Sequence, residues 1–173
     1  MKPTKKLPLF IISGASGVGK STLCEILFQN EADYIVMESD ILWNEIYNTP
    51  EDDYREYRKI WMQLCANISQ IGKPVVICGC AVPKQFEMLP EKELFTNIYF
   101  LAVICDNDIL ENRMRSGRGI SDEGWIASSL QFNSWLKDNG EANDIILLDN
   151  SKISLDESAD IADKWIRNKI ESE

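Results

Sequence analysis

GASGVGKST, residues Gly14 to Thr22, follows an apolar run near the start of the chain and holds little that a core would accept. Three of its nine residues are glycine and one is lysine. Gly14, Gly19, Lys20 and Ser21 fit the spacing G-x-x-x-x-G-K-[ST] of a phosphate-binding loop. The flanks fit as well. Leu7-Pro8-Leu9-Phe10-Ile11-Ile12-Ser13 reads as a buried parallel strand, and Leu23, Ile26 and Leu27 recur downstream at helical spacing. Glycines without Cβ let backbone N–H groups close around an anion. The helix N-terminus adds unpaired donors and a favourable dipole. The candidate cradle is therefore Gly14, Ala15, Ser16, Gly17, Val18, Gly19, Lys20, Ser21 and Thr22. Lys20 is the point charge for the β- and γ-phosphates, and the Ser21 hydroxyl is a ligand for Mg²⁺. The alternative is a glycine-rich turn that merely caps a helix.

Composition bounds the rest. With 173 residues, 45% of them hydrophobic, the chain reads as one domain, 1–173, long enough for a proper core. No stretch has the apolar length of a membrane span, and the N-terminus does not read as a signal peptide. The basic opening MKPTKK reads as a solvated tail. Lys and Arg number 18 against 28 Asp and Glu, a net charge of −10. Such a surface repels nucleic acid and anionic membranes, but it admits a small anion held in a local basic pocket. Five cysteines (Cys24, Cys65, Cys78, Cys80 and Cys105) lie mostly inside apolar runs, the pattern of reduced core thiols in a cytoplasmic protein. Cys78-x-Cys80 has no second close pair and no histidine to complete a zinc site. With no histidine at all, Ser-His-Asp and Cys-His chemistry are excluded, and any general base is a carboxylate or a lysine.

Along the chain, strand and helix signals alternate. Residues 33–39 read as a second strand and 40–48 as a short helix with Asp40 at its N-cap. Residues 50–73 read as a long amphipathic helix that starts at Pro50 and ends at Gly72, with Tyr57, Ile60, Trp61, Leu64, Ile68 and Ile71 as its apolar stripe. Strands are expected over 74–79, 97–105 and 144–150. Helices are expected over 106–116, from about Ser121 to Asp138, and over 154–170 with Ile161, Trp165, Ile166 and Ile170 inward. Between the first two of these helices, GRGISD at 117–122 reads as a mobile, basic interruption. The alternation implies an α/β fold with a parallel sheet, and a ligand beyond the C-terminal ends of its strands.

That rule selects candidates. Asp40 follows the second strand; it suits proton abstraction from an acceptor hydroxyl, or metal binding through water, and equally a simple N-cap. Glu38 and Ser39 are neighbours that read as part of the strand. Gly79, after the third strand, either lets another group approach the backbone or serves a turn. Lys84 reads as a surface lysine or a contact for an acidic substrate. Arg113, Arg115 and Arg118 crowd around Gly117 and Gly119, suited to closing over phosphates or to decorating a helix C-terminus. Trp43, Tyr47, Arg55, Arg58 and Trp61 fall where an acceptor pocket would form; Trp61 reads as core, and Arg55 and Arg58 fit either anion contacts or partners for nearby acids. Asp106 reads as a helix cap rather than a metal-holding acid.

Taken together, GASGVGKST, the acid in VMESD, the glycine in VVICGC, the lid-like LENRMRSGRG and the terminal strand IILLD resemble the small P-loop kinases of metabolites, nucleosides and nucleotides. Gluconate, shikimate, adenylylsulfate and adenylate kinases and chloramphenicol phosphotransferase are of this style. The resemblance spans nearly the whole chain; only the first motif is highly specific. It implies a three-layer P-loop NTPase fold, a five-stranded parallel sheet in order 2-3-1-4-5 with helices on both faces, and a short lid at about 115–122. It further implies ATP with Mg²⁺ as donor, Asp40 as the carboxylate of hydroxyl-phosphorylating members, Arg113 and Arg118 as lid arginines, and adenine near Asn150-Ser151. GCAVPKQ stands where adenylate kinases carry a Gly-Phe-Pro-Arg type sequence, which argues against a mononucleotide acceptor.

The expectation is an ATP-dependent kinase acting on a small-molecule hydroxyl, as a monomer or homodimer, with no nucleic-acid or membrane partner. The alternatives are a nucleoside monophosphate kinase, a regulatory ATP-binding switch and, against its acidic balance, a nucleic-acid end kinase.

Overall fold

The computed structural model describes residues 5–29, 33–42 and 50–173. Its strands are β1 (Leu9–Gly14), β2 (Ile35–Glu38), β3 (Val75–Cys78), β4 (Ile98–Ile104) and β5 (Ile145–Asp149). Its helices are α1 (Lys20–Gln29), α2 (Arg55–Ile68), α3 (Lys84–Glu87), α4 (Asn107–Asn112), α5 (Glu123–Asn139) and α6 (Leu155–Ser172). The strands form one parallel sheet in the order β2-β3-β1-β4-β5. Most of the expected short helix 40–48, with Trp43 and Tyr47, lies outside the described residues.

The central strand explains the layering. Every residue of β1 is buried, because helices cover both faces of the sheet. Side chains alternate across a strand, so Phe10 and Ile12 join Leu23 and Leu27 of α1 and Ala162 and Ile166 of α6 in one core. Leu9 and Ile11 face the other way, toward Trp61, Met62 and Cys65 of α2 and Leu136 of α5. Both cores leave the C-terminal strand edge open for the loops that follow each strand.

Three helices differ from their sequence reading. The helix expected from Pro50 begins at Arg55. Pro50–Asp52 form a 3₁₀ turn, Asp53 and Tyr54 adopt left-handed backbone (φ 54° and 57°), and the Asp52 carboxylate accepts from Arg55 N (3.0 Å) and Glu56 N (3.4 Å). The acidic run thus supplies a side-chain cap in mid-segment. The buried face of α2 is Tyr57, Arg58, Trp61, Met62 and Cys65, whereas Leu64 and Ile71 are exposed. Met62 and Cys65 complete the buried face in place of Leu64 and Ile71, and Arg58 lies within it. In α6, Ala159, Ala162 and Ile166 face the core and Ile161 is exposed, since the alanines allow close packing on α1. A capping box between Ser154 and Glu157 starts this helix. Finally, α4 runs into a π-turn, Arg113–Gly117, before the connection to α5, which starts close to where it was expected, with Asp122 as its N-cap.

Asn133 of α5 pins the end of β4. It is fully buried, donates to Cys105 O (2.7 Å) and Asn107 Oδ1 (2.8 Å), and accepts from Cys105 N (3.3 Å). Replacement by alanine strands the Cys105 N–H and leaves Cys105 O with Lys137 Nζ alone, at 3.3 Å. Asn133→Ala is expected to lower unfolding free energy by about 2–3 kcal/mol, measured by urea titration; a loss below about 0.5 kcal/mol contradicts this role.

Candidate active site

The loop between β1 and α1 is shaped by what packs beneath it. Ala15 and Val18 are buried, while Ser16, Gly17, Gly19, Lys20, Ser21 and Thr22 line a cleft of about 1120 Å³. Gly17 has φ 86°, and a Cβ there would lie 2.7 Å from Met114 Cγ, so the loop needs glycine both for its turn and for the close approach of the π-turn. Lys20 Nζ donates to Ala15 O at 2.8 Å. The Val18 carbonyl accepts from Arg113 Nη1 (3.0 Å) and Asn150 Nδ2 (2.9 Å), and Arg113 Nη1 also reaches Asn150 Oδ1 at 3.0 Å. Loop, π-turn and the end of β5 therefore meet at one carbonyl. Asn150, near which the resemblance places adenine, braces the loop with its buried side chain.

A second wall comes from the end of β2. Ser21 Oγ donates to Glu38 Oε1 at 2.5 Å. Glu38 read as a strand residue, and it is one, but it is the last, at the sheet edge where ligands bind. That position was the signal for it. Ser39–Leu42 form a 3₁₀ turn, so Asp40 lies inside the turn rather than at an N-cap, exposed and lining the cleft. Its placement is fixed from behind. Ser39 O accepts from Tyr57 Oη (2.5 Å) and Trp61 Nε1 (3.1 Å), and a Cβ on Gly79 would fall 2.1 Å from Ser39 Oγ. Gly79 thus serves close approach, and Trp61 is core that also holds the turn. Burial pushes the Tyr57 phenol up. Across the gap, Ser13 Oγ donates to Ala81 O (2.5 Å) and accepts from Ala81 N (3.0 Å), tying β1 to the loop after β3.

The arginines divide. Arg113 and Arg118 line the cleft, and Arg118 donates to Ser16 Oγ at 3.1 Å with its guanidinium 5.7 Å from the Trp125 ring centroid. Arg115 turns away and pairs with Glu111 (2.8 Å) and with both oxygens of Glu123 (2.6 and 2.7 Å). Arg58 is buried in the cleft wall, whereas Arg55 and Lys84 are exposed and take no part in it. Asp106 occupies the N-cap position of α4 without a side-chain cap bond and pairs with Lys137 at 3.3 Å, away from the cleft lining. Cys78 is buried with its thiol raised by hydrogen bonding to Cys24 and by burial, and Cys80 is exposed in the cleft. Among the described residues, no group of three or more His, Cys, Asp or Glu is placed to hold a metal ion, and no helix is long and apolar enough to cross a membrane.

The AAA domain family model matches residues 11–130. No curated protein matches the chain by sequence. Among solved structures, the chain resembles a gluconokinase from Sinorhizobium meliloti 1021 with TM-score 0.62, 17% identity and 97% of each chain covered. A sugar kinase from Janibacter sp. HTCC2649 aligns with TM-score 0.61 and 18% identity over 94% of this chain and 95% of that one. Shikimate kinase from Bacteroides thetaiotaomicron aligns with TM-score 0.59 and 14% identity over 93% and 98%. At such identities the likeness is one of fold, which the chain shares with these three solved kinases.

The two donors on Ser39 O make a test. Trp61→Phe and Tyr57→Phe each leave one donor in place and are expected to cost about 1 kcal/mol. The double variant leaves the carbonyl with neither and is expected to cost at least about 1 kcal/mol more than the summed singles. Additive losses in urea titrations contradict a shared role.

Proposed function

The chain belongs to the AAA domain family, and on that footing we propose that it is an ATP-dependent kinase that transfers the γ-phosphoryl group to a hydroxyl of a small molecule. One observation carries this reading: a single cleft joins the phosphate loop and its lysine, two lid arginines and, on the facing wall, the carboxylate of Asp40. The cleft continues past the phosphate loop to Tyr57, Arg58 and Gln85, room that an acceptor uses and a regulatory switch does not need.

In this mechanism the loop amides and the α1 N-terminus cradle the phosphates. Lys20 exchanges a neutral partner, Ala15 O, for phosphate oxygens. Arg118 is held by one hydroxyl and one aromatic face, so it is free to exchange toward the moving phosphoryl group. Arg113, fixed by Val18 and Asn150, keeps its charge beside the loop. Asp40 orients the acceptor hydroxyl and takes its proton as the acceptor O–P bond forms and the bond between Pγ and the bridging oxygen breaks, with the electron pair leaving on ADP. Ser21 Oγ and Glu38 Oε1 converge at 2.5 Å as an all-oxygen pair of the kind a hard cation takes, so Ser21 directly and Glu38 beside it would hold Mg²⁺. That ion would neutralise charge on the phosphates. We further propose a single catalytic unit with its lid at about 115–122, working in the cytoplasm; the buried, free thiols of Cys24, Cys65, Cys78 and Cys105 support a reducing compartment.

A pooled panel of metabolites, incubated with Mg·ATP and read by mass for phosphorylated product, tests the proposal. Lys20→Ala is expected to abolish transfer. Asp40→Asn is expected to lower kcat by about 10²–10⁴-fold while calorimetry finds ATP affinity retained. Arg118→Ala is expected to slow transfer by about 10²-fold with ATP binding only modestly weakened. ADP release that never responds to an acceptor favours the switch instead, and full activity in Asp40→Asn removes it as the base.

A further inference from the structure

Val18 and Gly19 share one planar trans peptide, so its C=O and its N–H point in opposite directions. The carbonyl of Val18 is turned inward, to donors on the π-turn and at the end of β5. The N–H of Gly19 is therefore directed the other way, and Gly19 lines the cleft. Whatever holds the carbonyl aims that N–H at a bound phosphate. Gly19 does not hold itself, because at φ 109° it has no Cβ to bar the peptide from turning over.

Asn150 supplies the hold. It directly follows β5, its main-chain N–H donates to Ile104 O at 2.9 Å, and it is 1% exposed. Its Nδ2 donates to Val18 O at 2.9 Å, and its Oδ1 accepts from Arg113 Nη1 at 3.0 Å. Arg113 Nη1 also donates to Val18 O, at 3.0 Å, so the three groups close a ring. The ring fixes the sense of the amide: a carbonyl only accepts and a guanidinium only donates, so nitrogen must face Val18 and oxygen must face Arg113. Arg113 alone is a weaker restraint, since its Nη1 is shared between two acceptors. The amide also lies close against the loop, with Nδ2 3.5 Å from where a Cβ on Gly19 would stand.

We propose that Asn150 is a positioning residue for the triphosphate: its side chain locks the Val18–Gly19 peptide in the phosphate-binding sense and does not read the base. This rests on the nucleotide half of the kinase reading above and not on the acceptor. Buried, and with both ends of its amide engaged, the side chain has nothing to offer a base. Without the lock, the peptide is shared between two orientations, only one of which presents the Gly19 N–H to phosphate. Apparent affinity then falls in proportion to the competent fraction. The loss is the same for every ligand that carries the triphosphate, whatever is attached to it.

The test is calorimetry with magnesium and three ligands: a non-hydrolysable ATP analogue, its guanine counterpart and inorganic triphosphate. Asn150→Ala is expected to weaken all three by one common factor, about 10-fold. Asn150→Asp keeps the shape and the acceptor for Arg113 but sets an oxygen against Val18 O, and is expected to weaken all three about 100-fold. Asn150→Ser, which keeps a donor at that position, guards against loss of folding and is expected to fall between wild type and Asn150→Ala. Urea titration of each variant confirms that the chain measured is folded. A base-reading Asn150 predicts the opposite pattern: inorganic triphosphate unaffected, and the ratio of adenine to guanine affinity shifted. A merely structural Asn150 predicts lower unfolding free energy with affinity for all three ligands within about 2-fold of wild type. Either pattern overturns the proposal and leaves the kinase standing. A wild-type chain that binds none of the three overturns the kinase reading and this proposal together.

Discussion

The carbonyl of Val18 is where the molecule is tied together. A phosphate loop must turn its N–H groups outward, which leaves its carbonyls directed into the protein, where each needs a donor. Val18 O receives Arg113 from the π-turn after α4 and Asn150 from the end of β5. Two segments about a hundred residues or more away thus fix the curvature of the loop. Gly17 admits Met114 from the same π-turn, so covering the loop and bracing it are done by one short stretch of chain. That stretch also carries Arg115, whose double pairing with Glu111 and Glu123 turns it away from the cleft that Arg113 and Arg118 line.

The opposite wall obeys a different constraint. A catalytic carboxylate has to stay charged, accessible and correctly aimed. Asp40 is exposed, and its aim comes from Ser39, which is buried against Gly79 and held at its carbonyl by Tyr57 and Trp61. The same helix α2 that fixes this turn also supplies Arg58. On the proposed function, the helix that orients the base therefore also lines the acceptor side of the cleft.

The sheet and the loop were legible because their signals are local. A motif with fixed spacing follows a continuous apolar strand, and parallel strands buried on both faces leave no alternation to misread. What was not legible depends on tertiary partners. Glu38 looks like any strand residue until Ser21 is placed against it. Asn150 shows no periodicity that betrays a bond to Val18. The face of α2 was misjudged because hydropathy assigns an arginine outward, while here Arg58 goes in and Leu64 goes out. Ile161 was misjudged for the converse reason: small alanines at 159 and 162 let α6 lie close to α1, and the larger side chain turns to solvent.

The account rests on backbone amides from Gly14 to Thr22 holding the phosphates of a nucleoside triphosphate. The most direct measurement is a calorimetric titration of the purified wild-type chain with a non-hydrolysable ATP analogue, with and without magnesium. The predicted result is one saturable site per chain whose affinity rises with the metal. Absence of any binding, for this and for the guanine analogue alike, contradicts the account at its base.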